Sequence, residues 1–129
     1  MESFYAHWSQ VPAAEWRWPN FTPKEIACRG TGAITIVPEA LDKLQALRDT
    51  IGKPLIINSA YRSPSHNAKV GGSPQSKHLL GIAFDISLKG HDRYRLTHAA
   101  EEVGFMGIGQ YPSFVHLDTR ETPARWDKR

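Results

Sequence analysis

Two short segments hold the residues whose types and spacing could do chemistry. The first, SKHLLGIAFD at residues 76–85, sets His78 seven positions before Asp85, with Gly81 between them. In a strand, alternate side chains share a face. Ile82, Phe84 and Ile86 would therefore form a core face, while Ala83 and Asp85 point the other way. Ala83 leaves room beside the carboxylate, and Gly81 can supply the bend that returns His78 towards Asp85. The second segment, FVHLD at residues 114–118, puts His116 and Asp118 on one face with Phe114, opposite Val115 and Leu117. Two imidazoles and an aspartate are a sufficient ligand set for Zn2+, since catalytic zinc keeps three protein ligands and one open position. A cation would also offset the cost of holding a carboxylate in an apolar run. Taken singly, each residue has an ordinary reading: a solvated or structural histidine, or a strand-end carboxylate bonded to backbone amides.

These segments need elements to carry them. FTPKEIAC has the Thr-x-x-Glu pattern of a capping box, with Thr22 as cap, Pro23 at the first helical position and Glu25 reaching back. It predicts a short helix ending near Gly30. VPEALDKLQALRDTIG spaces Ala40, Leu41, Leu44, Leu47 and Ile51 by threes and fours, which is one apolar helix face, stopped by Gly52. KPLIINSAYR reads as a buried strand of Leu55, Ile56 and Ile57, and GIAFDISL as a second strand. Between them, SPSHNAKVGGSPQS reads as a polar loop, with Gly71-Gly72 more suited to a loop over a cleft than to a phosphate cradle. DRYRLTHAAEEVG predicts an amphipathic helix with Tyr94, Leu96, Ala99, Ala100 and Val103 inward. GFMGIGQYPSFVHLDT supplies two strands around a Tyr-Pro turn. The order implies an α+β domain with a small, mostly antiparallel sheet flanked by helices. Residues 1–20 read as an arm packed across the body through Trp8, Trp16 and Trp18, and residues 21–129 as one domain.

Composition narrows the function classes. The chain has 129 residues, 40% hydrophobic and 22% charged, with formal net charge +3, which suits one globular domain. The single cysteine, Cys28, excludes an internal disulfide framework and reads as a small buried residue. No apolar run approaches a bilayer span. MESFYAHWSQ lacks the basic start and apolar stretch of a secretory signal, so the expectation is a protein made in the cytoplasm, which something else would have to deliver if it acts outside. The basic C-terminal TRETPARWDKR reads as a solvated tail. No nucleic-acid motif and no run of Lys and Arg interleaved with aromatics is present, so a nucleic-acid partner is not expected; neither is a membrane, and a monomer is the default.

Three segments together, SAYRSPSHN, SKHLLGIAFDI and FVHLDT, resemble the M15 family of zinc peptidases, which includes D-alanyl-D-alanine carboxypeptidases, bacteriophage endolysins and murein endopeptidases. The resemblance spans roughly residues 21–119. The family's Ser-x-His-x6-Asp element with an internal glycine matches Ser76, His78, Gly81 and Asp85, its last ligand histidine matches His116, and its Tyr-Arg-Ser segment matches Tyr61, Arg62 and Ser63. The resemblance implies a hedgehog/D-Ala-D-Ala-peptidase-like fold, Zn2+ held by His78, Asp85 and His116, and metal-assisted hydrolysis of peptidoglycan stem peptides by a carboxypeptidase or an endopeptidase. It places Arg62, Ser76 and Tyr61 at the substrate, Arg62 as the cation for a substrate carboxylate or an oxyanion; the plain alternative for Arg62 is an internal salt bridge. A phage or prophage lysis protein is the setting it suggests.

One departure stands out. Many family members carry an acid three residues before the last ligand histidine, where this chain has Ser113; others carry a histidine two residues before it, where this chain has Phe114. Asp118 is then the candidate general base, or else a group that orients a ligand, or a structural carboxylate bonded to backbone or Arg120. His66, in the loop beside Arg62, is the outside candidate. His7, His91 and His98 read as solvated or structural. Trp8, Trp16, Trp18 and Trp126 read as packing groups, any one of which could line a sugar-binding groove. The departure keeps a rival open: a zinc-containing module that binds peptidoglycan without cutting it.

Overall fold

The structure, a computed structural model, describes residues 2–129. Seven strands and four α-helices follow in chain order: β1 (Ser3–Tyr5), α1 (Pro23–Ile26), β2 (Ile34–Ile36), α2 (Pro38–Ile51), β3 (Ile57–Ser59), α3 (Pro64–Lys69), β4 (Ala83–Ser87), α4 (Arg93–Val103), β5 (Gly107–Gln110), β6 (Phe114–Asp118) and β7 (Ala124–Asp127). Short 3-10 turns lie between them, one of which, Lys77–Leu80, carries His78. The main sheet runs β3-β4-β6-β5-β7 and is antiparallel except for the parallel pair β5 and β7; β1 and β2 form a separate antiparallel pair. This is the α+β architecture, with a small and mostly antiparallel sheet, that the element order implies.

The local signals explain the helices. Thr22 and Glu25 form the reciprocal capping box of α1, but the helix ends at Ile26 rather than near Gly30, because the chain must turn there to bury Ala27 and Cys28. Gly52 adopts φ +69°, the left-handed conformation that stops α2. On α2, Leu41, Leu44 and Leu47 are fully buried; on α4, Leu96, Ala99 and Ala100 are. They meet the sheet face formed by Phe84, Ile86, Ile108, Val115 and Leu117 in one core. Each such large side chain is worth about 1.5–3 kcal/mol of burial. Tyr94 is the exception: it is exposed, because it occupies the outer face of α4's first turn.

Three segments differ from the sequence reading. The strand in KPLIINSAYR is displaced towards its C-terminal end, to Ile57–Ser59, so Ile56 is exposed. The polar loop after it contains α3, started by Pro64. The basic C-terminus is not a solvated tail throughout, since Ala124–Asp127 hydrogen-bonds in register with Gly107–Gln110; four residues are too few to show an alternating pattern. Residues 2–20 are joined to the rest of the chain by β1 on β2 and by the buried Trp18, while a Tyr5–Glu15 side-chain hydrogen bond closes the segment on itself. Among the described residues, no helix is long and apolar enough to cross a membrane.

Candidate metal centre and cleft

Sheet register builds the site. Ser59 pairs with Asp85, Asp85 with His116, His116 with Gly109, and Gly109 with Trp126. Residues opposite one another across strands share a face, so this is one row running over β3, β4, β6, β5 and β7 on the face away from the helices. The neighbouring row on that face is Ala83, Asp118, Gly107 and Ala124. The core row between them, with Phe84 and Leu117, points the other way. Alternation in AFDIS and FVHLD thus produces apolar packing on one side and chemistry on the other.

His78 comes from outside the sheet. Ser76 caps its turn, accepting a hydrogen bond from the His78 amide at 3.2 Å, and Gly81 ends the turn at φ +76°. The His78 ring is buried, with Nδ1 2.6 Å from the carbonyl of Ala60. A carbonyl only accepts, so Nδ1 carries the hydrogen and Nε2 presents a lone pair. That Nε2 is buried without a hydrogen-bond partner, 3.2 Å from Asp85 Oδ1. His116 faces the same oxygen through Nδ1 at 3.0 Å, while its Nε2 lies 2.8 Å from Asp118 Oδ2.

With His116 Nε2–H donating to Asp118, three acceptors converge: His78 Nε2, Asp85 Oδ1 and His116 Nδ1. The donor atoms of the three residues all lie within 4.8 Å of one another. Such an arrangement repels itself unless a cation or a proton sits among the lone pairs. Four-coordinate zinc with bonds near 2.0 Å spaces its ligands by about 3.3 Å, close to the distances seen, so the residues present fit the ion.

The carboxylates respond to these partners. Burial acts to raise the pKa of Asp85, but the His116 and His78 rings held against its carboxylate outweigh it and keep the carboxyl well below the usual range. Burial acts to lower that of His116, yet Asp118 and Asp85 together raise it. Asp118 is fully buried; Arg120 and His116 overcome that burial and depress it.

Arg62 lies at the other oxygen of Asp85, with Nη2 3.4 Å from Oδ2. Ser59 and Asn67 accept from its Nε and Nη1 at 3.0 and 3.3 Å. The buried Asn67 also donates to Ser73 O, linking Arg62 to the Gly71–Ser73 loop. The ligands open into a cleft of about 670 Å³. One side is Arg62, Gly71, Gly72, Ser76 and Lys77; the other is Tyr111, Phe114, Arg120, Trp126 and Lys128. Tyr111 and Phe114 stack at 4.4 Å, and Trp126 Nε1 donates to the Tyr111 hydroxyl at 2.9 Å.

The expected site residues therefore divide. His78, Asp85, His116, Arg62 and Ser76 come together. Tyr61 does not reach the cleft: it is buried in a small cluster with Cys28 and Ala33, edge-on to Phe4. Asp118 lies behind the His116 ring, with its carboxylate turned to Nε2 and Arg120 rather than to the cleft. His66 packs over Gly30, and His91 bonds the Pro54 carbonyl. Among the described residues lining the cleft, Asp85 is the one carboxylate and His78 and His116 are the imidazoles. Lys77, Tyr111 and Lys128 were not singled out from the sequence, because no local pattern marks a lone residue as facing a cleft formed by distant segments; nor was the buried Asn67, which reaches the site only through Arg62.

A cleft floored by His78, Asp85 and His116, a cluster that could hold one metal ion, on a mixed α+β fold is what a single-metal protein of this class would show. The chain belongs to the peptidase M15 family, whose model matches residues 19–118. A zinc D-Ala-D-Ala carboxypeptidase of Streptomyces albus G is 39% identical to it over 67 residues, a match covering 51% of this chain and 26% of that relative. The chain thus spans about a quarter of the length of the relative it matches.

Proposed function

We propose that this protein is a zinc-dependent peptidase that hydrolyses a peptide bond in bacterial peptidoglycan stem peptides, acting as a monomer, with His78, Asp85 and His116 as the metal ligands. The observation that carries the reading is the buried, unpartnered Nε2 of His78 aimed at two further acceptors. Family membership and the resemblance to a zinc carboxypeptidase support it. Bound zinc would supply a Lewis acid for the scissile carbonyl and lower the pKa of a water molecule towards about 7.

The chain's own groups have separate roles. Ala60 O and Asp118 each take a ring N–H, so both histidines present a lone pair to one point. Arg62 steadies Asp85 through Oδ2, and its cleft-facing guanidinium suits a substrate carboxylate or a developing oxyanion. Arg62, Lys77, Arg120 and Lys128 line a cleft whose one carboxylate is a ligand. That excess of positive charge favours peptides rich in carboxylates, as stem peptides are. Tyr111, Phe114 and Trp126 give the cleft an aromatic wall beside the ligands. All of these groups come from one chain, which is why a monomer suffices.

A second reading has its own support. Among the described residues, the cleft lining offers no carboxylate or imidazole beyond the ligands to accept a proton, and Asp118 is committed to His116 and Arg120. A zinc-containing module that binds peptidoglycan without cutting it matches that inventory. Incubating purified murein with the protein, with and without a chelator, and identifying products by mass spectrometry separates the two. New peptide termini that vanish with chelation support the peptidase, and the released fragments tell a carboxypeptidase from an endopeptidase. Sedimentation with murein and no new termini supports the binder. A phage or prophage lysis role, suggested by the resemblance to endolysins, predicts that externally added protein lyses permeabilised Gram-negative cells.

A further inference from the structure

The clamp behind His116 involves residues beyond the segment that the family model matches. Both oxygens of Asp118 are engaged. Oδ1 accepts from the Arg120 amide at 3.1 Å and from Arg120 Nε at 2.8 Å; Oδ2 accepts from Arg120 Nη2 at 2.7 Å and meets His116 Nε2 at 2.8 Å. A guanidinium fork sets the plane of a carboxylate as well as its position. Trp126 then covers the pair, its ring 5.1 Å from the Arg120 guanidinium and 5.2 Å from the His116 ring. The Tyr111 hydroxyl holds its indole N–H.

We propose that Arg120 and Trp126 are positioning residues of the metal centre, fixing through Asp118 the one orientation and tautomer of His116 that presents Nδ1 to a metal. The inference rests on the reading of His116 as a ligand and assigns work to a C-terminal segment, residues 120–127, that nothing in the ligand motif includes. The glycines of β5 support it independently. A Cβ at Gly107 would lie 2.2 Å from Asp118 Oδ1, and one at Gly109 would lie 2.3 Å from the Trp126 ring. Glycine weakens a strand interior, so two glycines on the same face of a four-residue strand need a reason. The space they vacate is the space this clamp occupies. Parallel pairing of β7 with β5 brings Trp126 opposite Gly109, which makes the terminal strand a structural part of the site.

The test compares Arg120→Gln, Arg120→Lys, Trp126→Ala and Trp126→Phe with the unaltered chain. Zinc affinity is read by competition with a chromophoric chelator, and the His116 tautomer by long-range 15N–1H correlation in the metal-free protein. Arg120→Gln and Trp126→Ala should each weaken zinc binding by about 10–100-fold, and His116 should lose its single Nε2–H tautomer. Trp126→Phe should restore most of the affinity because a ring remains, and Arg120→Lys should restore less because the fork is gone. Lower melting temperature with unchanged zinc affinity and unchanged tautomer would reduce both residues to packing groups and overturn the proposal. Should Trp126→Ala not fold, Trp126→Phe and the two Arg120 variants still decide it. Neither readout involves hydrolysis, so a protein that cuts no murein leaves this test intact. An unaltered chain that retains no zinc would instead sink the ligand reading, while the tautomer would still report on the clamp.

Discussion

The two histidines at the centre are held in different ways. His78 sits on a turn, and its ring is fixed by a main-chain carbonyl, Ala60 O, between a serine cap and a left-handed glycine. His116 sits on a central strand, and its ring is fixed by a relay of side chains, from Asp118 to Arg120 to Trp126. A carbonyl survives almost any substitution at its own residue. A relay fails wherever one member is lost. The centre therefore has one support specified by backbone geometry and one specified by residue identity, and the second should be much the more sensitive to mutation.

Loss of either ring should abolish the contrast: His78→Ala and His116→Ala should each eliminate stoichiometric zinc retention after gel filtration, together with any murein hydrolysis. Asp118→Ala comes next. It removes the acceptor for His116 and leaves Arg120 without its counter-charge. The expected cost is about 3 kcal/mol in urea unfolding, towards the low end of the range for breaking a buried pair because the Arg120 side chain is 25% exposed. Zinc affinity should drop about 10–100-fold. Ala60→Gly, which keeps the carbonyl on the opposite support, should cost far less affinity; an equal loss would show that the two supports do not differ as described.

Gly107→Ala should sharpen the comparison without deleting a functional group. The added methyl meets the Asp118 carboxylate, so about 1–3 kcal/mol of overpacking is expected, with zinc affinity reduced in step. The smallest effect should lie far from both supports. Asp42 accepts from Arg17 at 2.8 Å and from Trp18 at 2.8 Å, and the hydrogen bond from Arg17 is the main cause of its lowered pKa. A depressed carboxylate stabilises the fold above its ordinary pKa of about 3.9 and loses that contribution as pH falls through the lower folded value. Half-exposed, it is worth no more than about 1 kcal/mol. Asp42→Asn should therefore lower stability at pH 7 and converge with the unaltered chain only once the pH has fallen below the depressed folded pKa of Asp42, with zinc affinity untouched throughout.

Much of the site was legible because its signals are local. His78, Gly81 and Asp85 fall within eight residues, and alternation in AFDI and FVHLD separates ligand face from core face without reference to the rest of the chain. Capping signals likewise set the start of α1 and the end of α2. The misreadings have a common cause. Tyr61 sits beside Arg62 in sequence, yet consecutive residues of extended chain point oppositely, and only packing against Cys28 decides which of the two is buried. The tail looked solvated because a four-residue strand made of Ala, Arg, Trp and Asp has no recognisable period. Asp118 shares a face with His116 whether it serves as a base or as an anchor, so periodicity could not separate those roles.

The amino-acid order alone determined which residues could ligate a metal and which faces they occupy, since strand alternation and turn chemistry act over a few residues. Tertiary structure decided which nitrogen each imidazole presents, which way Asp118 turns, and that the last strand closes the site. Those outcomes depend on cross-strand register and on the hydrogen-bond partners it delivers, such as His116 to Asp85 across 31 residues, and no window of sequence contains both partners.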